Sequence, residues 1–232
     1  MSNQLGSLLD ASLAVLNSGL EEFALTARDD IVDPPRLTRQ RRLLEGACLA
    51  IVLRAALQDH WGGKAASLDD SHRDLEELLP GSFVAFCLKE CSEAGLMLER
   101  LLAVASETQL RLTDVAALRE FLHSLDIVRA GPIWQLDPGE DARKRLGAFY
   151  TPVALARAIT RQSVDLWRRT AGDAEVPSIA DASVGAGEFL LAALEEFASV
   201  SPSTDRWHLA KRAVGLDVDP LATELTMLRV AN

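Results

Sequence analysis

The sequence predicts an α/β protein: a helical domain in front, then the opening of a doubly wound βαβ unit that stops after its second strand. Two observations carry this. From Gln4 to Leu125 apolar residues recur at helical spacing between breaks at proline and glycine. From Pro177 onward the pattern changes to two short apolar runs, 178–181 and 214–217, each ending in a carboxylate, with a turn of small residues and a helical stretch between them.

The first helix is set by Leu5, Leu8, Leu9, Leu13, Leu16 and Leu20. Asp33-Pro34-Pro35 breaks the chain, and a long helix is expected from Leu37 through Trp61, closing at Gly62-Gly63. Its front end carries Arg36, Arg39, Arg41 and Arg42. These read either as a phosphate-contacting patch or as a solvated face pairing with nearby acids, and the second reading is preferred. A short acidic helix follows over 69–79, ending at Pro80-Gly81. Residues 83–105 read as one apolar helix, kinked near Gly95, and the last helix starts with Thr113 as N-cap and runs to about Leu125. Residues 1–126 therefore form a helical domain. Within it His60, His72 and His123 each stand without a partner at metal-ligand or triad spacing, and Trp61 and Phe83 read as core.

Gly131-Pro132 and Asp137-Pro138-Gly139 mark residues 127–141 as a linker. The second domain takes residues 142–232. It opens on the basic run Arg143-Lys144-Arg145, which is either a solvated loop or a face for an anionic substrate. Pro152 then suits the first turn of a helix whose apolar side is Val153, Ala156, Ile159, Val164 and Trp167.

Composition bounds the partners. A hydrophobic share of 48% over 232 residues supports a buried core. A net charge of −10 and a pI near 4.9 are wrong for a chain that grips a phosphate backbone unaided, so any DNA contact must be local or supplied by another part or partner. Cys48, Cys87 and Cys91 fit neither a disulfide framework nor a zinc site and read as buried thiols of a reducing compartment. No secretory leader and no apolar run of about eighteen residues is present, which points to the cytoplasm and away from a membrane.

The chemistry lies in Asp181-Ala182-Ser183-Val184-Gly185-Ala186-Gly187-Glu188 and in Gly215-Leu216-Asp217-Val218-Asp219-Pro220. Gly185 and Gly187 lack Cβ, so the backbone there can take positive φ and approach a ligand closely. Helix amides beginning near Glu188 favour an acceptor-rich group. Asp217 ends the second strand and is placed to accept hydrogen bonds from two ribose hydroxyls. A ligand with an adenosine end satisfies both, held in a hollow between residues 183–187 and Asp217. A dinucleotide does not: Leu190 stands where a third glycine belongs, and Asp217 lies thirty residues past Gly187, against about twenty in the dinucleotide fingerprint. Glu188 at the helix opening also opposes a phosphate.

The wording of these segments resembles the N6-adenine-specific DNA methyltransferases of type I and type IIG restriction-modification systems. Asp181 to Leu190 is similar to their Asp-Pro-Ala/Ser-x-Gly-Ser/Thr-Gly-x-Phe/Leu-Leu loop, and 215–220 to their Gly-x-Glu/Asp-Ile-Asp-Pro segment. Upstream, Gly147-Ala148-Phe149-Tyr150-Thr151-Pro152 resembles their Gly-x-Phe/Tyr-Tyr-Thr-Pro. The resemblance implies a class I S-adenosylmethionine-dependent, Rossmann-like domain, with S-adenosylmethionine as cofactor and DNA as partner of the complete enzyme. By the same resemblance Phe149, Tyr150 and Thr151 cover the methionine end, Ser183, Gly185 and Gly187 hold the amino-acid end, Asp181 orients the loop or meets the ligand through water, and Asp217 with Val218 meets the nucleoside; read without it, Phe149 and Tyr150 wedge the following helix against the sheet.

This sequence departs from that pattern in Ala182 for proline and Ala186 for serine or threonine, which removes one hydroxyl. The family's Asn-Pro-Pro-Tyr/Phe, which holds the flipped adenine, is absent; Asp33-Pro34-Pro35 lacks the aromatic and lies elsewhere. No catalytic residue is therefore named, and the chain alone is expected to be inactive. Two strands do not make a sheet covered on both faces. The expectation is an N-terminal portion of a longer enzyme; the alternatives are completion by a second chain, or a helical fold with a rudimentary sheet. A non-catalytic interaction subunit or degenerate remnant is the competing function.

Overall fold

Between Leu44 and Ala55 the sequence offers no continuous polar face, and that stretch becomes the axis of the helical unit. The computed structural model describes residues 3–26, 34–91, 95–130, 133–137, 151–171, 177–200 and 205–231. The chain divides into two units, Met1–Ala148 and Phe149–Asn232.

In the first unit, α1 (Asn3–Thr26) and α2 (Pro34–Ala56) are followed by a 3-10 turn at Gln58–Trp61, then α3 (Leu68–Leu78), α4 (Phe83–Glu90), α5 (Gly95–Glu107) and α6 (Leu112–His123). Every residue from Leu44 to Ala55 is buried, and α2 packs against all five other helices. A helix apolar all round belongs at the centre of a bundle, where each side meets a partner. The charged residues buried inside it are paired. Arg54 donates from Nε to Asp74 Oδ2 at 2.7 Å and from Nη2 to the Gly63 carbonyl at 3.0 Å, and its guanidinium lies 4.4 Å from the Trp61 ring centre. Arg41 bonds Glu45 and the Leu122 carbonyl, while Arg36, Arg39 and Arg42 are exposed.

In this unit the structure differs from the sequence reading at helix ends and in the expected linker. The helix expected to reach Trp61 ends at Ala56; Gly62, at φ 72°, closes the 3-10 turn beyond it, and the Gly63 carbonyl receives Arg54. The single helix expected over 83–105 is two, with Ser82 capping α4 through the Ala85 amide and Gly95 opening α5. Thr113 does not cap α6: the Arg111 amide donates to Asp114 Oδ2 at 2.8 Å, so the helix starts two residues earlier. Where a linker was expected over 127–141, the chain forms an antiparallel hairpin of β1 (Asp126–Ala130) and β2 (Ile133–Asp137), registered Asp126 to Asp137 and Ala130 to Ile133. The hairpin lies on α1, and Asn17 Oδ1 accepts the Leu136 amide at 2.8 Å. Arg143, Lys144 and Arg145 lie outside the described residues.

The second unit consists of α7 (Val153–Ala171), β3 (Ile179–Asp181), α8 (Glu188–Val200), α9 (Arg206–Ala210), β4 (Ala213–Gly215) and α10 (Pro220–Ala231). Strands β3 and β4 pair in parallel, Ile179 to Ala213, Ala180 to Val214 and Asp181 to Gly215. The chain is thus mostly helical with a small parallel sheet, broadly α/β. Ala156, Thr160 and Val164 form the buried stripe of α7, at the i, i+4, i+8 spacing of one helix face, and α7 packs on α8. Val164, Leu194, Phe197 and Leu209 form the core, with Trp167 edge-on to Phe197 at 5.4 Å. The inner residues Ile179 and Asp181 are half-buried beside α8, whereas Ala180, Val214 and Leu216 alternate outward and are exposed. No described helix is long and apolar enough to cross a membrane.

Two predictions follow from the helical unit. Asp74→Ala strands the Arg54 charge in the core and should cost about 3–5 kcal/mol in urea unfolding, while replacing both partners by apolar residues should recover much of it. Burial, with a smaller contribution from Glu90, lifts Cys91 from 9.0 to about 11, and burial also raises Cys48. Both should resist iodoacetamide at pH 8 until the chain is unfolded. Because folded Cys91 holds its proton to higher pH than it does in the unfolded chain, its contribution to stability is complete below 9.0 and is lost toward about 11. The urea midpoint should fall across that window.

Candidate functional site

Strand β3 delivers Asp181 and β4 delivers Asp217, and the turn between β3 and α8 is stitched to the extension of β4. The Leu216 amide donates to the Asp181 carbonyl at 2.8 Å, and the Leu216 carbonyl accepts the Val184 amide at 2.9 Å. Gly185 and Gly187 take φ values of 52° and 88°, the left-handed region that a side chain resists. The Gly187 amide closes the turn on the Val184 carbonyl at 2.8 Å.

The Gly185 amide donates to Asp217 Oδ2 at 2.9 Å, and the Asp219 amide donates to Asp217 Oδ1 at 2.9 Å. Two of the residues predicted to share a site, Gly185 and Asp217, are therefore joined directly. They are in direct contact: the Gly185 amide takes one acceptor position of the Asp217 carboxylate and the Asp219 amide another, so a ligand would use the positions that remain. Each Asp217 oxygen keeps a second lone pair. Ser183 and Val218 are exposed, Gly185 is half-buried, and Val184, Ala186 and Gly187 are buried. Val218 is 97% exposed, an apolar side chain standing free of its own unit's core.

Asp219 has a different job from Asp217. Its Oδ1 accepts the Leu221 amide at 3.0 Å and its carbonyl accepts the Ala222 amide at 3.1 Å, which makes it the N-cap of α10, with Pro220 in the first turn. Asp181 Oδ1 accepts the Ser183 amide at 3.0 Å; its Oδ2 is buried with no hydrogen-bond partner among the described residues. Thr151 is half-buried just ahead of α7, and no polar contact joins it to the turn among the described residues. Phe149 and Tyr150 lie outside the described residues.

Glu188 corrects part of the sequence argument. Its carboxylate pairs with Arg229 at 2.8 Å, so the helix opening carries no unbalanced negative charge to repel a phosphate. The amides supply a better reason. Those of Ser183, Val184, Gly185 and Gly187 are all spent on acceptors of the chain itself, whereas a phosphate cradle presents such amides to its ligand.

Among the described residues, hollows lie on either side of the sheet in whose walls Asp217 has no part. One of about 440 Å³ runs along β3 beneath α7, lined by Thr160, Ser163, Trp167, Asp181 and Phe189 among others. The other, about 310 Å³ and mostly apolar, lies beyond β4 between α9 and α10, with Trp207, Lys211 and Met227 in its wall. Among the described residues no group of histidine, cysteine and carboxylate side chains is arranged to hold a metal.

The two glycines should respond differently to alanine. At Gly185 a Cβ meets nothing within 4 Å, so Gly185→Ala should cost only the left-handed backbone, about 1–2 kcal/mol. At Gly187 it would come within 2.9 Å of Thr226 Cγ2, so Gly187→Ala should cost about 1–3 kcal/mol more. Thermal unfolding of the two variants checks the order.

Comparison with family models, with curated proteins and with solved structures finds no match for this chain.

Proposed function

We propose that the second unit is the S-adenosylmethionine-binding portion of an N6-adenine DNA methyltransferase of the restriction-modification type. One observation carries the reading: a parallel β-α-β pair sets a glycine turn with two left-handed residues against the carboxylate that ends the next strand, in the order the motif resemblance requires. Its rigid, internally bonded turn suits a ligand without phosphates.

The fit with this cofactor rests on three groups. Asp181 Oδ2, without a hydrogen-bond partner among the described residues, is an acceptor in need of a donor. Asp217 has acceptor capacity left for two hydroxyls, and exposed Val218 offers an apolar surface for a nucleobase edge. When bound, the cofactor supplies an electrophilic methyl group. The chain's part would be to hold it: Asp217 would take the ribose hydroxyls and the 183–187 rim the amino-acid end, with Thr151 the described residue of the segment that would cover it. Target adenine and DNA contact belong to an Asn-Pro-Pro-Tyr/Phe element that this sequence does not contain.

The direct bond from Gly185 to Asp217 favours a second reading, a remnant that keeps the turn as scaffold and serves as a non-catalytic interaction subunit. Calorimetry separates them. Binding of S-adenosylmethionine by the chain, weakened about tenfold or more by Asp217→Ala with no heat from NAD, supports the cofactor site. No binding to either form leaves the remnant.

A further inference from the structure

The turn that carries the proposed site is held from beneath by α10, through residues that no motif singles out. Thr226 and Arg229 stand three residues apart on one face of that helix, both at least nine-tenths buried. Thr226 Oγ1 donates to the Gly185 carbonyl at 2.9 Å. Arg229 donates from Nη1 to the Ala186 carbonyl and pairs with Glu188 Oε1. The Thr226 methyl group fills the space beside Gly187 that a Cβ would occupy. Two successive carbonyls of the turn are thus fixed by one helix face, while the Gly185 amide is fixed by Asp217, three residues ahead of that helix.

We infer that Thr226 and Arg229 are positioning residues for ligand binding: they lock the turn in the conformation in which Gly185 and Asp217 stand in register. This rests on the reading of the turn as a cofactor site. A left-handed pair of glycines has many unfolded alternatives, so a turn of this kind keeps one shape only if its surroundings fix it. Hydroxyl and guanidinium supply that restraint at the two carbonyls. Because α10 follows directly from Asp217-Val218-Asp219, movement of the turn relative to α10 is also movement relative to the carboxylate. Nothing in this role requires either side chain to touch the ligand.

Thr226→Val tests it, since valine keeps the methyl group beside Gly187 and removes only the donor to Gly185; Thr226→Ser restores the donor. The full chain is followed by amide hydrogen exchange across 183–187 and by S-adenosylmethionine calorimetry. Expected are exchange faster by about tenfold in that segment for Thr226→Val, a comparable loss of affinity, and return of both to wild-type values in Thr226→Ser. Unchanged exchange in Thr226→Val overturns the inference, whether affinity falls or not, and so does unchanged affinity with faster exchange. If wild type binds no S-adenosylmethionine, the cofactor reading fails and the exchange result alone decides whether α10 locks the turn. Should Thr226→Val not fold, the paired substitution Glu188→Gln with Arg229→Gln, which removes both charges together, gives the same readouts.

Discussion

The hydrogen bond from the Gly185 amide to the Asp217 carboxylate ties the turn after β3 to the side chain that follows β4 in the second unit. Its demands reach outward. To put the amide there the chain must turn through positive φ at 185 and 187, which requires glycine; to put the carboxylate there β4 must run beside β3 and stop at Gly215. The Leu216 amide and carbonyl, bonded to Asp181 and Val184, hold the turn and the end of β4 in one plane of hydrogen bonding. The Asp219 amide then completes the Asp217 shell while its side chain starts α10, and α10 returns to hold the turn's carbonyls.

The parts of this arrangement that were legible in the sequence are the local ones. Small residues between an apolar run and a helical stretch gave the turn, and α8 starts at Glu188 where the pattern changes. The strands, expected at 178–181 and 214–217, lie at 179–181 and 213–215, because residues 216 and 217 leave the ladder to bond the turn. Thr226 and Arg229 were not legible. Each reads as an ordinary residue of an amphipathic helix, and its meaning lies in carbonyls some forty residues away. Glu188 misled for the same reason: its charge was visible, its partner was not.

The helical unit teaches the complementary lesson. Apolar periodicity located its helices but placed their ends poorly, since ends are decided by polar detail: Asp114 accepting the Arg111 amide, Ser82 accepting that of Ala85, Gly62 turning left-handed. The hairpin was hidden by its punctuation. Gly131-Pro132 between two five-residue segments reads as linker, yet 127–130 and 133–136 carry the β-branched and aromatic residues of strands on either side of a two-residue gap.

Stability in the two units rests on different forces. In the first, α2 is surrounded on every side, and burial of its aliphatic residues from Leu44 to Ala55 supplies the driving force. In the second, β3 and β4 contribute only three residues each, and the face carrying Ala180 and Val214 is exposed. A parallel pair this short has little cohesion of its own, since such sheets draw their stability from cover on both faces. The geometry of the turn is therefore not inherited from a rigid sheet. It is set by side chains that bind backbone: Asp181 on Ser183, Asp217 on Gly185, Thr226 and Arg229 on the next two carbonyls. Such bonds are directional where apolar contact is not, so they specify one turn conformation while adding only modestly to overall stability. Changes at these residues should accordingly separate loss of site geometry from loss of fold, which changes within the α2 core cannot do.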